Sequence, residues 1–214
     1  MLIIGAKGFA KEILHILEQN NKLNQVAFYD DLNINNIGRI FNKFPIIKSI
    51  NNAADYFKTI DNKFTIGIGN PHLRYAMYQK FTDANGLFTS TISRNIDIGE
   101  YEVNIGDGCN ILSGVKVSNC VEIGMGCIIY YSSIITHDVQ IGQFVEISPG
   151  ATLLGGCKIG DFTHIGSGAI ILPYIRIGKN AVIAAGAVIT KDVPDNVMIA
   201  GVPGVVKKHL GNDS

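Results

Sequence analysis

From Ile105 to Pro194 an aliphatic side chain returns at every sixth position, through Ile111, Val117 and Ile123 and onward to Ile183 and Ile189. The position four residues later is small or apolar in most repeats, as at Cys109, Val115, Ser133, Ala151, Thr163 and Ala187. A period of six fits neither the 3.6 residues of a helical turn nor the alternation of a strand, so it marks a repeat architecture. A second period lies over the first: Ile-Gly recurs at Ile105-Gly106, Ile123-Gly124, Ile141-Gly142, Ile159-Gly160 and Ile177-Gly178, eighteen residues or three hexads apart. Each hexad then supplies a short strand with one large aliphatic pointing inward, and a turn where Gly, Asn or Asp accepts unusual dihedrals. Three hexads close one triangular coil. Residues eighteen apart stack, each coil rising about 4.8 Å, and ladder hydrogen bonds between coils satisfy the backbone of a rigid β prism. Between Leu87 and Asn104 the spacing begins at Ile92 and Ile98 and slips by one before Ile105, which predicts an imperfect first coil.

Before the repeat the pattern changes. Leu2 to Ile4 is a short apolar strand, followed by Gly5-Ala6-Lys7-Gly8-Phe9-Ala10 and a helical pattern with Ile13, Leu14, Ile16 and Leu17 on one face. Strand, glycine turn and helix in that order make the first half of a Rossmann-like βαβ unit, whose turn brings backbone and a helix N-terminus close to a phosphate. Gly5-x-x-Gly8 lacks the full GxGxxG fingerprint, so the motif alone fits a nucleotide site and a plain structural turn equally. Gln25 to Tyr29 reads as a second strand ending in Asp30-Asp31, where a carboxylate accepts hydrogen bonds from ribose hydroxyls. Phe64 to Gly69 gives a third, ending at Asn70-Pro71, and a helix with Leu73, Met77, Tyr78 and Phe81 follows. Two strand ends therefore point at one crevice. Asn33 to Asn62 is Asn-rich and less regular, with a small additional strand at Phe44-Pro45-Ile46-Ile47. These patterns predict an α/β nucleotide-binding domain over residues 1–88 and an all-β parallel β-helix over 89–214.

Composition narrows the function. Lys plus Arg and Asp plus Glu are both 18, so no basic field collects nucleic acid or anionic lipid. The apolar run at Met1 to Ile4 is too short for a signal peptide, and no segment approaches a membrane span, so a cytoplasmic location is expected. Cys109, Cys120, Cys127 and Cys157 lie in the repeat without a CxxC pairing, and three of them occupy the small inward position, as core hydrophobes rather than metal or disulfide ligands.

Chemistry must come from groups that a structural repeat does not need. Thr136-His137-Asp138 interrupts the hexads at a turn and places an imidazole beside a carboxylate on the outside of the prism. Gly155 follows His137 by eighteen residues and takes the same corner of the next coil. A base and a backbone N–H without a side chain then flank one spot. Acyl transfer from a thioester needs this pair: the base takes the nucleophile's proton, and the N–H faces the developing oxyanion. Asp138 orients the imidazole and favours its protonated form. The thioester is already activated, so direct attack needs no acyl-enzyme.

With Gly5-x-x-Gly8, Asp30-Asp31, Gly69-Asn70, His137-Asp138 and Ala200-Gly201-Val202-Pro203 taken together, residues 1 to 208 resemble the hexapeptide-repeat sugar acetyltransferases. This branch includes sialic acid O-acetyltransferases and enzymes that N-acetylate the 4-amino group of nucleotide-linked sugars. The resemblance implies a left-handed β-helix, acetyl-CoA as co-substrate without a metal, and a homotrimer with active sites between subunits. It implies His137 as general base supported by Asp138, an oxyanion contact from Gly155, and Gly5, Lys7, Gly8, Asp30, Asp31, Gly69, Asn70 and Arg74 near the nucleotide. It also places Ala185 and Gly186 along the CoA groove and Gly201 and Pro203 in a tail lying against acetyl-CoA. Several members carry a second histidine nine residues after the base; here Glu146 stands at that position, beside the acyl donor. Many follow the tail proline with alanine and a basic residue, whereas here Gly204 and Val205 precede Lys207-Lys208.

A hexapeptide-fold carbonic anhydrase is excluded, because only His137 and His164 fall in the repeat and 27 residues apart they do not stack. A structural solenoid such as an ice-binding surface would need ranked identical polar residues, and the outward positions are mixed. The expected function is acetyl-CoA-dependent N-acetylation of the 4-amino group of a UDP- or dTDP-linked amino sugar, in bacterial surface glycan biosynthesis. Sialic acid-type O-acetylation and a non-catalytic nucleotide-sugar-binding protein are the alternatives.

Overall fold

In the computed structural model, residues 1–32 and 38–211 are described; part of the Asn-rich stretch (33–37) and the end of the chain (212–214) lie outside the described residues. The chain divides into two compact units, Met1–Arg94 and Asn95–Ser214.

In the first unit, β1 (Leu2–Ile4) is followed by α1 (Gly8–Gln19), β2 (Ala27–Tyr29), β3 (Arg39–Ile40), β4 (Phe44–Ile47), α2 (Ile50–Thr59), β5 (Lys63–Ile66), α3 (Pro71–Asp83) and β6 (Leu87–Phe88). They form one sheet in the order β3-β4-β2-β1-β5-β6. All pairs are parallel except β3 with β4. The alternation of side chains explains the layers. Ile3 and Phe28 pack with Ala10, Ile13, Leu14 and Leu17 of α1, while Phe64 meets Phe57 of α2 and Phe81 of α3 at ring separations of 6.0 and 5.8 Å. The chain leaves β1 toward β2 on one side and returns to β5 on the other, so the ends of β1, β2 and β5 open on a crevice at this switch point.

α2 was not expected from the sequence, where Asn51, Asn52 and Asp55 obscure it. Ser49 caps it by accepting the Asn52 N–H at 3.2 Å, and Ala53, Tyr56 and Phe57 at helical spacing form its buried stripe. In α3 the buried residues are Arg74 and Phe81, while Leu73 is exposed. The strand expected at Phe64 to Gly69 stops at Ile66, so Gly67 to Gly69 form the loop at its end.

In the second unit the hexads become two-residue strands in three parallel sheets with an eighteen-residue register. Ile111, Ile129, Ile147, Ile165 and Ile183 make one inward column; Val117, Ile135, Leu153, Ile171 and Ile189 make the second. Ile105, Ile123, Ile141, Ile159 and Ile177 make the third. From Ile111 onward all of these are buried. Polar residues at the small inward position satisfy themselves: Ser133 Oγ donates to the Ser148 carbonyl at 3.0 Å, and Thr163 Oγ1 to that of Gly178 at 2.7 Å. Cys109, Cys127 and Cys157 are buried and Cys120 is exposed, and burial pushes the Cys157 thiol up to about 12. After the last hexad, Val197–Ala200 adds a further parallel strand, and Val205–His209 turns back against it. No helix among the described residues is long and apolar enough to cross a membrane.

Candidate functional site

The turn that carries His137 is built for display. Asp138 has a left-handed backbone with φ 60°, which Asp tolerates better than most residues. The Gly156 N–H donates to the His137 carbonyl at 3.0 Å and ties this turn to the next coil. His137 Nδ1 lies 2.7 Å from Asp138 Oδ2. With that nitrogen carrying the proton toward the carboxylate, Nε2 is left as the acceptor. Both side chains are 61% exposed, so the pair lies open on an edge of the prism.

Gly155 stands beside the imidazole. A Cβ built on it would meet His137 Cε1 at 2.5 Å and Nε2 at 2.7 Å, closer than any real Cβ approaches. A side chain there would push the imidazole from its place, where it now lies against bare backbone. The Gly155 carbonyl accepts from the Tyr174 N–H at 2.9 Å, while its own N–H has no acceptor among the described residues. The same holds for Met125, His137 and Ala185 at the first position of other turns, so what sets Gly155 apart is the imidazole beside it. Imidazole, carboxylate and free N–H are thus brought together as the eighteen-residue register predicts.

Asp138 also borders a polar cavity of about 520 Å³ with Glu102, Asn104, Cys120, Glu122 and Gln140. Asn104, Glu122 and Gln140 are consecutive outward residues of one sheet. Three carboxylates and two amides leave this cavity negative.

Glu146 is on another face, in register with His164 one coil later. His164 Nε2 is 3.7 Å from Glu146 Oε1 and 2.9 Å from the Ser148 hydroxyl. His164 was not singled out by the sequence reading, although its offset from Glu146 is the repeat length and could have found it. Farther along the prism, exposed Ala185 and Gly186 lie in a turn whose neighbour Val188 donates to the Gly201 carbonyl at 3.1 Å. Gly204 in turn donates to the Val188 carbonyl at 2.8 Å. The structure therefore brings Gly186, Gly201 and Pro203 to one end of the unit.

In the first unit a cavity of about 300 Å³ is lined by Gly5, Lys7, Phe9, Asp30, Gly69 and their neighbours. Gly5 has φ +105°, and a Cβ there would stand 2.9 Å from the Gly67 carbonyl. Gly67, missed in the sequence, lies so close to Ala10 that a Cβ would meet it at 2.6 Å, whereas one on Gly8 would meet nothing. The interlocking pair is thus Gly5 and Gly67. The first turn of α1 holds no acidic residue and Lys7 makes no side-chain cap, so its N–H groups suit an anion.

The two aspartates separate. Asp30 is buried in the cavity wall, its carboxylate accepting the Leu32 N–H at 3.2 Å. Asp31 is bound away from it, 3.1 Å from Lys80 Nζ and accepting the Tyr29 hydroxyl at 2.8 Å. Burial raises the Asp31 pKa, but the Tyr29 and Lys80 hydrogen bonds and the Lys80 charge outweigh it and hold the carboxyl below its usual range. Arg74 is fully buried and donates to the carbonyls of Ile68 and Gly69 at 3.2 and 2.6 Å. Asn70 caps α3 by accepting the Leu73 N–H at 2.9 Å. Arg74 and Asn70 thus shape the loop, and Gly69 faces the cavity.

Residues 1–81 match the family of the PglD N-terminal domain, and residues 138–173 and 156–191 match the bacterial transferase hexapeptide (six repeats). Over nearly its whole length the chain is similar to WeeI from Acinetobacter baumannii AYE, with 30% identity, a TM-score of 0.86, and 96% of this chain and 98% of that chain covered. It is similar to perosamine N-acetyltransferase from Caulobacter crescentus, solved in complex with CoA and GDP-perosamine, with 25% identity, a TM-score of 0.89 and coverage of 97% and 96%. The acetyltransferase domain of PglB from Neisseria gonorrhoeae FA1090, solved also with acetyl coenzyme A, shares 25% identity and a TM-score of 0.83 over 96% of this chain and 98% of that one. No curated protein matches the sequence.

Proposed function

The chain belongs to the hexapeptide-repeat, left-handed β-helix sugar acetyltransferases of nucleotide-linked amino sugars, and on that premise we propose that it N-acetylates the 4-amino group of a UDP- or dTDP-linked amino-deoxy sugar, with His137 as general base. It is an acetyl-CoA-dependent sugar acetyltransferase. The observation that carries the residue assignment is the imidazole of His137 lying against Gly155, with Nδ1 on Asp138 and the Gly155 N–H unpaired among the described residues.

In this reading the sugar amine attacks the thioester carbonyl while Nε2 of His137 accepts the proton it sheds. Asp138 stabilises the imidazolium through Nδ1, and the Gly155 N–H donates to the oxyanion. Collapse forms the amide, breaks the carbon–sulfur bond, and returns the proton from His137 to the CoA thiolate. The amine is favoured over a sialic acid hydroxyl because the cavity at Asp138 holds Glu102 and Glu122: carboxylates attract an ammonium and repel a sugar acid. Residues 1–88 hold the nucleotide, its diphosphate at the α1 N-terminus near Gly5 and Lys7 and its ribose at Asp30. Residues 89–214 hold acetyl-CoA, with Ala185, Gly186, Gly201 and Pro203 along the groove; Glu146, on another face of the same prism, reaches the donor only across a subunit boundary of the proposed trimer. A homotrimer is consistent with the outward aliphatics Ile134 and Ile170, 39% and 37% exposed on one face, and closes the open edge at His137.

The test mixes protein and acetyl-CoA with UDP-, dTDP- and GDP-linked 4-amino sugars and free sialic acid, following thiol release and product mass. Acetylated UDP- or dTDP-sugar, reduced about 10²- to 10⁴-fold in rate by His137→Ala, is the expected result. Acetylation of a GDP-sugar alone would overturn the nucleotide assignment, and acetylation of sialic acid alone the acceptor. Undiminished rates in His137→Ala would overturn the base.

A further inference from the structure

At the turn of Gly155 and Gly156 two aromatic side chains approach bare backbone from opposite directions along the prism. His137, one coil earlier, lies over Gly155; Tyr174, one coil later, lies over Gly156, where a Cβ would stand 2.6 Å from Tyr174 Cδ1. The α carbons of the two glycines are about 3.8 Å apart. They make a short floor with the imidazole at one end and the phenol ring at the other.

The repeat itself does not ask for this ring. Tyr174 has φ 61°, but Glu102, Cys120 and Asp138 at the equivalent corners of earlier coils have φ of 53° to 60°, so the fold demands the backbone conformation and not the aromatic. Phe144 and Phe162 also have left-handed backbones, and they account for themselves by stacking at 5.8 Å, with Phe144 fully buried. Tyr174 has no ring partner among the described residues, and it is 76% exposed.

We propose that Tyr174 is the side wall of the acyl slot, closing the Gly155–Gly156 floor away from His137 and limiting the donor to short acyl chains. This rests on the reading of His137 as base and the Gly155 N–H as oxyanion donor. With the amine arriving at the His137 end and the carbonyl oxygen at the Gly155 N–H, the sulfur and alkyl group are left the space toward Gly156. A methyl fits beside a flat ring there, and each further methylene runs into it.

The experiment measures kcat/KM of wild type, Tyr174→Ala and Tyr174→Phe with acetyl-, propionyl- and butyryl-CoA and one acceptor, with sedimentation to follow assembly. The ratio of butyryl to acetyl kcat/KM is expected to rise about tenfold or more in Tyr174→Ala and to keep its wild-type value in Tyr174→Phe, because the ring and not the hydroxyl is the wall. An unchanged ratio in Tyr174→Ala, an equal shift in Tyr174→Phe, or loss of assembly together with all turnover in Tyr174→Ala would each overturn the proposal. His137→Ala in parallel separates the two readings: full activity in that variant removes the base on which the slot depends, whereas an inactive variant with an unchanged Tyr174→Ala ratio removes the wall alone.

Discussion

Gly155 concentrates the proposed catalytic geometry in a single atom. Its backbone is outside the left-handed region, so alanine is allowed there on conformational grounds, and the objection to a Cβ is the imidazole at 2.5 Å. Gly155→Ala is expected to melt within a few degrees of wild type, because an exposed imidazole can swing away, yet to lose about 10²-fold in kcat/KM as the base and the N–H part company. Thermal denaturation beside steady-state rates checks both halves; a fully active variant would refute the pairing. The neighbourhood of His137 was legible because an exact repeat converts a sequence offset of eighteen into a spatial contact. The aspartates were not. Asp31 and Asp30 look alike in the sequence, and what separates them is Lys80, which lies 49 residues away and meets Asp31 only after folding. The family resemblance implies Arg74 near the nucleotide; its side chain is buried under the loop, donating to the carbonyls of Ile68 and Gly69, a placement that no motif in the sequence marks.

A coil of the prism is held by its aliphatic column and by side chains that reach between coils. Ile147 is fully buried between Ile129 and Ile165, so Ile147→Ala is expected to cost about 2–5 kcal/mol, read as a lower denaturant midpoint. Asp161 shows the second kind of tie: it accepts the Gln143 N–H at 3.0 Å and lies 2.8 Å from Lys179 Nζ. Burial raises its pKa, but the Lys179 and Gln143 hydrogen bonds and the Lys179 charge outweigh that and hold it below the usual range. A carboxyl more acidic in the folded chain than in the unfolded one stabilises the fold when ionised; that contribution is present at neutral pH and is lost as pH falls through the lowered value. The melting temperature is therefore expected to drop below about pH 4, and Asp161→Asn to melt lower at pH 7 with a shallower acid drop. Equal acid drops in both proteins would show that another carboxylate governs it. Elements with a strict period, the hexads and α1, were readable. The closing strands Val197–Ala200 and Val205–His209 were not, because after Pro194 the period ends and Val205 and Val206 remain exposed.

At the scale of the whole molecule, the proposed trimer should sediment at three times the mass of the chain, and Ile134→Asp with Ile170→Asp should reduce that mass. Assembly unaffected by two charges on that face would place the contact elsewhere. The column that joins His137 to Gly155 also sets how the chain can change in length. One residue inserted between them would rotate every later side chain by a position, carrying core aliphatics to the surface and leaving the imidazole over a different neighbour. Eighteen residues inserted beyond Tyr174, by contrast, would add one storey and leave everything below undisturbed. The seven-residue step from Ile98 to Ile105 falls before His137, in the first imperfect coil. Length variation in such a chain is quantised, and between His137 and Gly155 not even a whole quantum would keep the two in contact.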